Sequence, residues 1–213
     1  MIPAAHRCGP IRHPRCVRHR IFDLYGSVHI PVPQEVELPP TPRTPRERWL
    51  DAGLEALVEG GPDAVRVETL ATALGVTKGG FYGYFAGRPA LLDELLDEWE
   101  RRCTDDVLAR VEAEGGDARD RLRRAGGLTS SEDLHRLDLA VRQWARRDEA
   151  VAARLRRIDA VRLDFLRRMF ATFVADPDEV EARSTLMFTL AIGRHFLAAD
   201  AEAVRRAGEH LLR

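Results

Sequence analysis

The sequence predicts an all-α protein, a small three-helix head followed by a longer helical body, and three observations predict it. From Val67 to Leu92 the chain reads VETLATALGVTKGGFYGYFAGRPALL, a helix-turn-helix followed directly by another amphipathic helix. Beyond Arg88, apolar residues recur at three- and four-residue spacing almost to the end of the chain. A length of 213 residues at 45% hydrophobic suits one small head plus one helical body.

The first 43 residues are a different material. Prolines at 3, 10, 14, 31, 33, 39, 40 and 42 forbid a continuous helix. Residues 1–43 are expected to be a disordered Pro/Arg-rich tail, or an artefact of start-site assignment with translation beginning at a valine such as Val28 or Val36. Five arginines and three histidines before residue 21, with no acid until Asp23, also allow a basic arm that follows phosphates. Cys8, His13, Cys16 and His19 match no common zinc spacing, so no metal is expected.

Residues 44–87 form the expected head. Thr44-Pro45-Arg46-Glu47 reads as a capping box with proline at the first helical position, and Trp49, Leu50, Gly53, Leu54, Leu57 and Val58 trace one apolar stripe that Gly60 and Gly61 end. Leu70, Ala71 and Leu74 give a second, short helix over Glu68 to Leu74 whose N-terminal cap is missing or replaced. Gly75 sits where the backbone needs a positive φ, Val76 plugs the turn, and Thr77 offers a hydroxyl to cap the next helix. Phe81 and Phe85 are inward anchors of that third helix, Lys78 to Tyr84, leaving Lys78, Gly79, Gly80, Gly83 and Tyr84 outward. Each glycine costs a helix roughly 1 kcal/mol against alanine. Three in under two turns ask for a reason outside propensity. Close approach of bare backbone to a groove wall or phosphate is such a reason, with Lys78, Thr77, Tyr82 and Tyr84 as donors.

These residues resemble the tetracycline-repressor (TetR) family of bacterial transcription regulators over Arg46 to about Glu100. The match runs through Leu74, Gly75, Val76, Thr77, Lys78, Gly79, Phe81, Tyr82, Phe85, Arg88, Leu91 and Leu92. Gly80 replaces a small hydroxyl residue of the family pattern, Gly83 an aromatic, Tyr84 the usual histidine and Arg88 the common lysine. The resemblance implies a DNA-binding head with Thr77, Lys78, Gly79, Gly80, Tyr82, Gly83, Tyr84 and Arg88 at the duplex. Gly80 and Gly83 have no side chain to touch a base, which moves weight toward phosphate contacts and DNA shape.

Residues 88–213 form the expected body of five helices. Leu91, Leu92, Leu95, Leu96, Trp99, Cys103, Val107, Leu108 and Val111 mark a long connecting helix ending near Gly115 and Gly116. Leu134 to Trp144 follows a Ser130-Ser131 cap. Val151 to Phe173 ends before Asp176-Pro177, and Val180 to Leu197 and Ala201 to Leu212 close the chain. The resemblance implies a helical ligand-binding and dimerisation domain. An effector lies between its helices, with Cys103, Val107, Val141, Trp144, Phe165, Met169, Met187, Phe188 and His195 as candidate lining. By spacing alone the bulky apolar members of that set are core.

The formal net charge of −1 fits weak non-specific DNA binding, yet Thr77 to Arg88 contains no acid while Glu47, Asp51, Glu55, Glu59 and Asp63 crowd the first helix and its exit. No run of about 18 apolar residues suggests a membrane span, and three scattered cysteines suggest no disulfide framework, so the expectation is a cytoplasmic protein without cofactor. No nucleophile elbow, HExxH or phosphate loop accompanies His195, so no catalytic residue is assigned. The reading is a homodimeric, effector-released repressor on a pseudo-palindromic operator. The alternative is a ligand- or partner-binding protein of the same fold with weakened DNA binding.

Overall fold

Helix α1 (Arg46–Gly60) buries Trp49, Leu50, Gly53, Leu54 and Leu57 on one face, as its stripe dictates. The computed structural model describes residues 44–194, 196 and 201–213. The tail, its cysteines and histidines, and His195 lie outside the described residues. Pro45, not Thr44, precedes the first turn of α1, and no side chain caps it. Arg46 instead ion-pairs with Glu94. Gly53 is the crossing point with the next long helix: a Cβ there would lie 3.0 Å from Leu95 Cδ2, so glycine allows the close approach.

Helix α2 (Val67–Leu74) ends as expected at Gly75, whose φ of 68° and ψ of 32° are left-handed. Gly75 N–H donates to Thr72 O at 3.1 Å and Val76 N–H to Ala71 O at 2.9 Å, the paired bonds of a Schellman turn. The third element of the head is a short 3₁₀ segment, Lys78–Gly83, rather than an α-helix, and the Thr77 hydroxyl does not cap it. Three glycines leave too little propensity to propagate α geometry, so buried Phe81 and Phe85 set its path instead.

Helix α3 (Arg88–Glu100) continues through a π-helical turn, Arg101–Asp105, into α4 (Asp106–Glu114). The helix α5 (Ala118–Thr129) has no counterpart in the sequence expectation. Its Asp117 cap accepts from Asp120 N–H at 2.9 Å, but it carries four arginines and two glycines, and Leu122 is its one buried residue. The expectation of five body helices is corrected accordingly. Helices α6 (Glu132–Ala145), α7 (Glu149–Phe170), α8 (Pro177–Gly193) and α9 (Ala201–Leu211) complete the body. Ser131 precedes α6 without a side-chain cap bond, whereas Asp148 and Asp176 cap α7 and α8. There is no strand among the described residues. No helix among them is long and apolar enough to cross a membrane.

Two apolar clusters hold the fold. The first joins the head to the body through one continuous core, from Trp49, Leu70 and Phe81 through Leu95 and Trp99 to Leu137, Val141, Trp144 and Ile158. The second gathers Val107, Val111, Leu122, Phe165, Phe170 and Leu212.

Candidate functional site

The head offers one surface built from a segment, Thr77–Arg88, that has no acid of its own. Phe81 stacks on Phe85 at 5.0 Å between ring centroids and meets Trp49 edge-on at 5.5 Å. Those inward rings turn Thr77, Lys78, Gly79, Tyr82 and Gly83 to solvent, with Tyr82 61% exposed. Gly80, Tyr84 and Arg88 are half-buried. A Cβ on Gly80 would face Trp49 Cζ2 at 3.7 Å, and Tyr84 lies edge-on to Phe85. The Arg88 guanidinium donates to Val65 O at 2.7 Å and Pro62 O at 2.6 Å, which pins the turn between α1 and α2. Of the eight residues expected at the duplex, five therefore share the open face and three support it from behind.

Lys78 Nζ donates to Glu68 Oε1 at 2.9 Å. That hydrogen bond raises the Lys78 pKa and lowers that of Glu68. Both side chains are exposed, so the pair is solvent-screened and readily exchanged for a phosphate.

In the body, α4 to α8 and the π-turn enclose a cavity of about 130 Å³. Val107, Leu108, Leu122, Phe165, Leu166, Met187 and Phe188 make its walls apolar. Its other end is polar, formed by Thr104, His135, Asp138 and Arg162. Asp138 accepts from Trp99 Nε1 at 3.0 Å, Arg162 at 2.8 Å and Arg142 Nε at 2.8 Å. Arg142 then grips Asp159 bidentately at 2.7 and 2.9 Å. Burial opposes ionisation of Asp138, but Arg162 and Arg142 outweigh it and hold its carboxyl below the usual range.

Arg162 also reaches the π-turn, donating from Nε to Thr104 Oγ1 at 2.9 Å and from Nη2 to Cys103 O at 3.3 Å. The Cys103 thiol donates to Leu134 O, and burial first, then Asp138, pushes its pKa up to about 12. It is therefore a packing and lining residue, not a nucleophile.

The candidate lining residues separate clearly. Cys103, Val107, Phe165, Met187 and Phe188 line the cavity. Val141 and Trp144 lie in the core shared with the head, and Met169 packs against the second cluster, so none of these three reaches the cavity wall. Among the described residues no group of three or more His, Cys, Asp or Glu is placed to hold a metal.

Residues 50–95 match the model of the bacterial regulatory proteins of the tetR family. Over these residues the chain carries the helix-turn-helix head of the TetR family. Its fold is similar to that of a chain from Rhodococcus sp. described as a TetR-family transcriptional regulator, at 26% identity over 78% of this chain and 94% of that one, with a TM-score of 0.56. A TetR-family transcriptional regulator from Streptomyces coelicolor is similar at 17% identity, covering 78% and 85% with a TM-score of 0.62. The transcriptional regulator FadR from Bacillus subtilis, solved in complex with stearoyl-CoA, is similar at 18% identity, covering 78% and 96% with a TM-score of 0.56. No curated protein matches the chain. The matched segment holds the helix-turn-helix at Val67–Gly83.

Sequence reasoning missed the polar end of the body cavity. Asp138, Arg142, Asp159 and Arg162 stand on α6 and α7, and the sequence reading assigns them no role. A signal was nonetheless present. Asp138 and Arg142 are four apart, as are Asp138 and the partly buried Leu134 of α6, which places the acid beside the apolar stripe.

Proposed function

We propose that this regulator is a homodimeric, effector-released repressor that acts in the cytoplasm on a pseudo-palindromic operator. The observation that carries the reading is that one continuous helix serves both ends. Its α3 half is buried with the head through Leu91, Leu95 and Trp99, and its π-turn and α4 half supply Cys103, Thr104 and Val107 to the cavity. A ligand in that cavity therefore touches the element that sets the head's position.

On the DNA side, the open face of Thr77, Lys78, Gly79, Tyr82 and Gly83 suits phosphate contact and shape reading, because it offers hydroxyls, one lysine and bare backbone. Two such faces enter successive major grooves when they stand roughly 34–36 Å apart. Dimerisation is supported by apolar side chains left uncovered on the last elements, Leu186 at 55% and Phe196 at 72% exposed. A ligand that favours another spacing lowers affinity by its differential binding to the two states. That the similar FadR is found with stearoyl-CoA supports reading a body cavity on this fold as a ligand site.

The test is fluorescence anisotropy of the purified protein on its own upstream DNA and on a scrambled duplex, at low and near-physiological salt. Tighter binding to the native DNA that survives the salt and is lost in Lys78→Ala supports the regulator. Equal, salt-abolished binding to both duplexes favours a ligand- or partner-binding protein with weakened DNA reading.

A further inference from the structure

The cavity's size and the unused bonding capacity at its polar end point to one chemical class of occupant. We propose that the cavity takes a compact, uncharged amphiphile: a single ring or branched chain of benzene size with one hydroxyl, of which phenol is the simplest example. This rests on reading the cavity as the effector site.

Size sets the first limit. An engineered cavity of about 150 Å³ accepts benzene, and this one offers about 130 Å³. A long acyl chain or a nucleotide carrier exceeds that volume.

Bonding capacity sets the second. An ionised carboxylate has about four acceptor positions, and Asp138 fills three of them with Trp99, Arg142 and Arg162. A guanidinium has five N–H donors, and Arg162 uses three, on Thr104, Asp138 and Cys103. One acceptor position and two donors are left at the cavity's polar end. A hydroxyl uses both kinds, donating to Asp138 while accepting from Arg162. A pure hydrocarbon would displace water from that end and leave those groups unpaired.

Charge sets the third. Asp138 and Asp159 balance Arg142 and Arg162 within the network. An anionic or cationic head would add an uncompensated charge beside apolar walls, where charge is costly.

The experiment is calorimetric titration of the purified full chain, without DNA, at about pH 8. The probes are phenol, toluene, benzoate, benzylamine and stearoyl-CoA. The expected result is saturable binding of one phenol per chain, with toluene, benzoate and benzylamine each weaker by about tenfold or more. Ala125→Phe, which adds a ring to the cavity wall, abolishes phenol binding while the melting temperature is kept; the wild-type series decides the class if that variant does not fold. Benzoate, benzylamine or toluene binding as tightly as phenol overturns the class, as does stearoyl-CoA binding in competition with phenol, or no phenol binding at millimolar concentration. DNA anisotropy with and without phenol separates the two readings. Phenol binding that leaves DNA affinity unchanged keeps the ligand class and refutes effector release.

Discussion

Gly79 and Gly80 are neighbours with opposite surroundings, so alanine at each separates what the fold needs from what DNA needs. Neither glycine has a left-handed φ. A Cβ on Gly79 would meet only Thr77 Oγ1, at 3.8 Å, and one on Gly80 would rest on Trp49 Cζ2 at 3.7 Å. Both are ordinary contact distances, so each alanine stabilises the chain by about 0.5–1 kcal/mol through the unfolded state. For a protein of this size that raises Tm by about 1–4 °C. Their effects on DNA part company. Gly79 is exposed on the open face, where a methyl group would keep its backbone from a phosphate and cost about tenfold in affinity, or about 1.4 kcal/mol. Gly80 points its missing Cβ inward, so its alanine leaves DNA affinity unchanged. Thermal melts followed by circular dichroism give the first quantity and operator anisotropy the second. Gly79→Ala binding DNA as well as the wild type while melting higher would refute close backbone approach as the reason for the glycines.

The Lys78–Glu68 pair competes with phosphate, so Glu68→Gln is expected to tighten DNA binding several-fold, while Lys78→Ala weakens it and lowers the slope of log K against log salt by about one. Arg88→Ala is expected to cost about 1–3 kcal/mol in urea unfolding by orphaning the Val65 and Pro62 carbonyls, with the salt slope of DNA binding unchanged. Asp138, against its burial but under Arg162 and Arg142, and Glu98, chiefly through Arg101, have lowered folded-state pKa values. Their stabilisation is thus fully present above the unfolded carboxylate pKa of about 4 and is lost as pH falls through the folded values, so urea midpoints should be flat from pH 7 to about 4 and drop below. Thr104→Val keeps the shape but removes the oxygen that accepts from Arg162 Nε. DNA affinity measured by anisotropy should change by several-fold although Thr104 is remote from the open face.

The head was legible because its signals are local. Gly75 at a helix end is fixed by backbone geometry and emerges as read, and Phe81 and Phe85 are inward as expected although the segment that carries Phe81 is 3₁₀ and not α-helical. Caps were less legible. Thr44, Thr77 and Ser131 have the right chemistry, yet none closes a cap bond, because side-chain chemistry alone does not set the angle at which the chain enters a helix. Helix α5 was hidden by its arginines and by Gly126 and Gly127, which lower propensity while its neighbours supply the packing. Apolar spacing located Val107, Phe165 and Met187 but could not tell a cavity wall from the core around Val141 and Trp144, since both look alike along one helix. The Asp138–Arg162 contact joins residues 24 apart on two helices, and only tertiary structure brings them together.

The π-turn at Arg101–Asp105 gives that network a mechanical consequence. A π-turn interrupts the phase between the helix before it and the helix after it, and is less favourable than continuous α geometry. Something must hold it, and the Arg162 bonds to Thr104 Oγ1 and Cys103 O lie at that turn. A charged hydrogen bond contributes about 1.5–3 kcal/mol, and a tenfold change in DNA affinity requires about 1.4 kcal/mol. A ligand that strengthens or weakens one of these bonds as it engages Arg162 is therefore enough, in magnitude, to bias α3 against α4. Because α3 is packed into the head's core through Leu91 and Leu95, beside Trp49 and Gly53, while α4 lines the cavity, a change of phase between them is transmitted to the head.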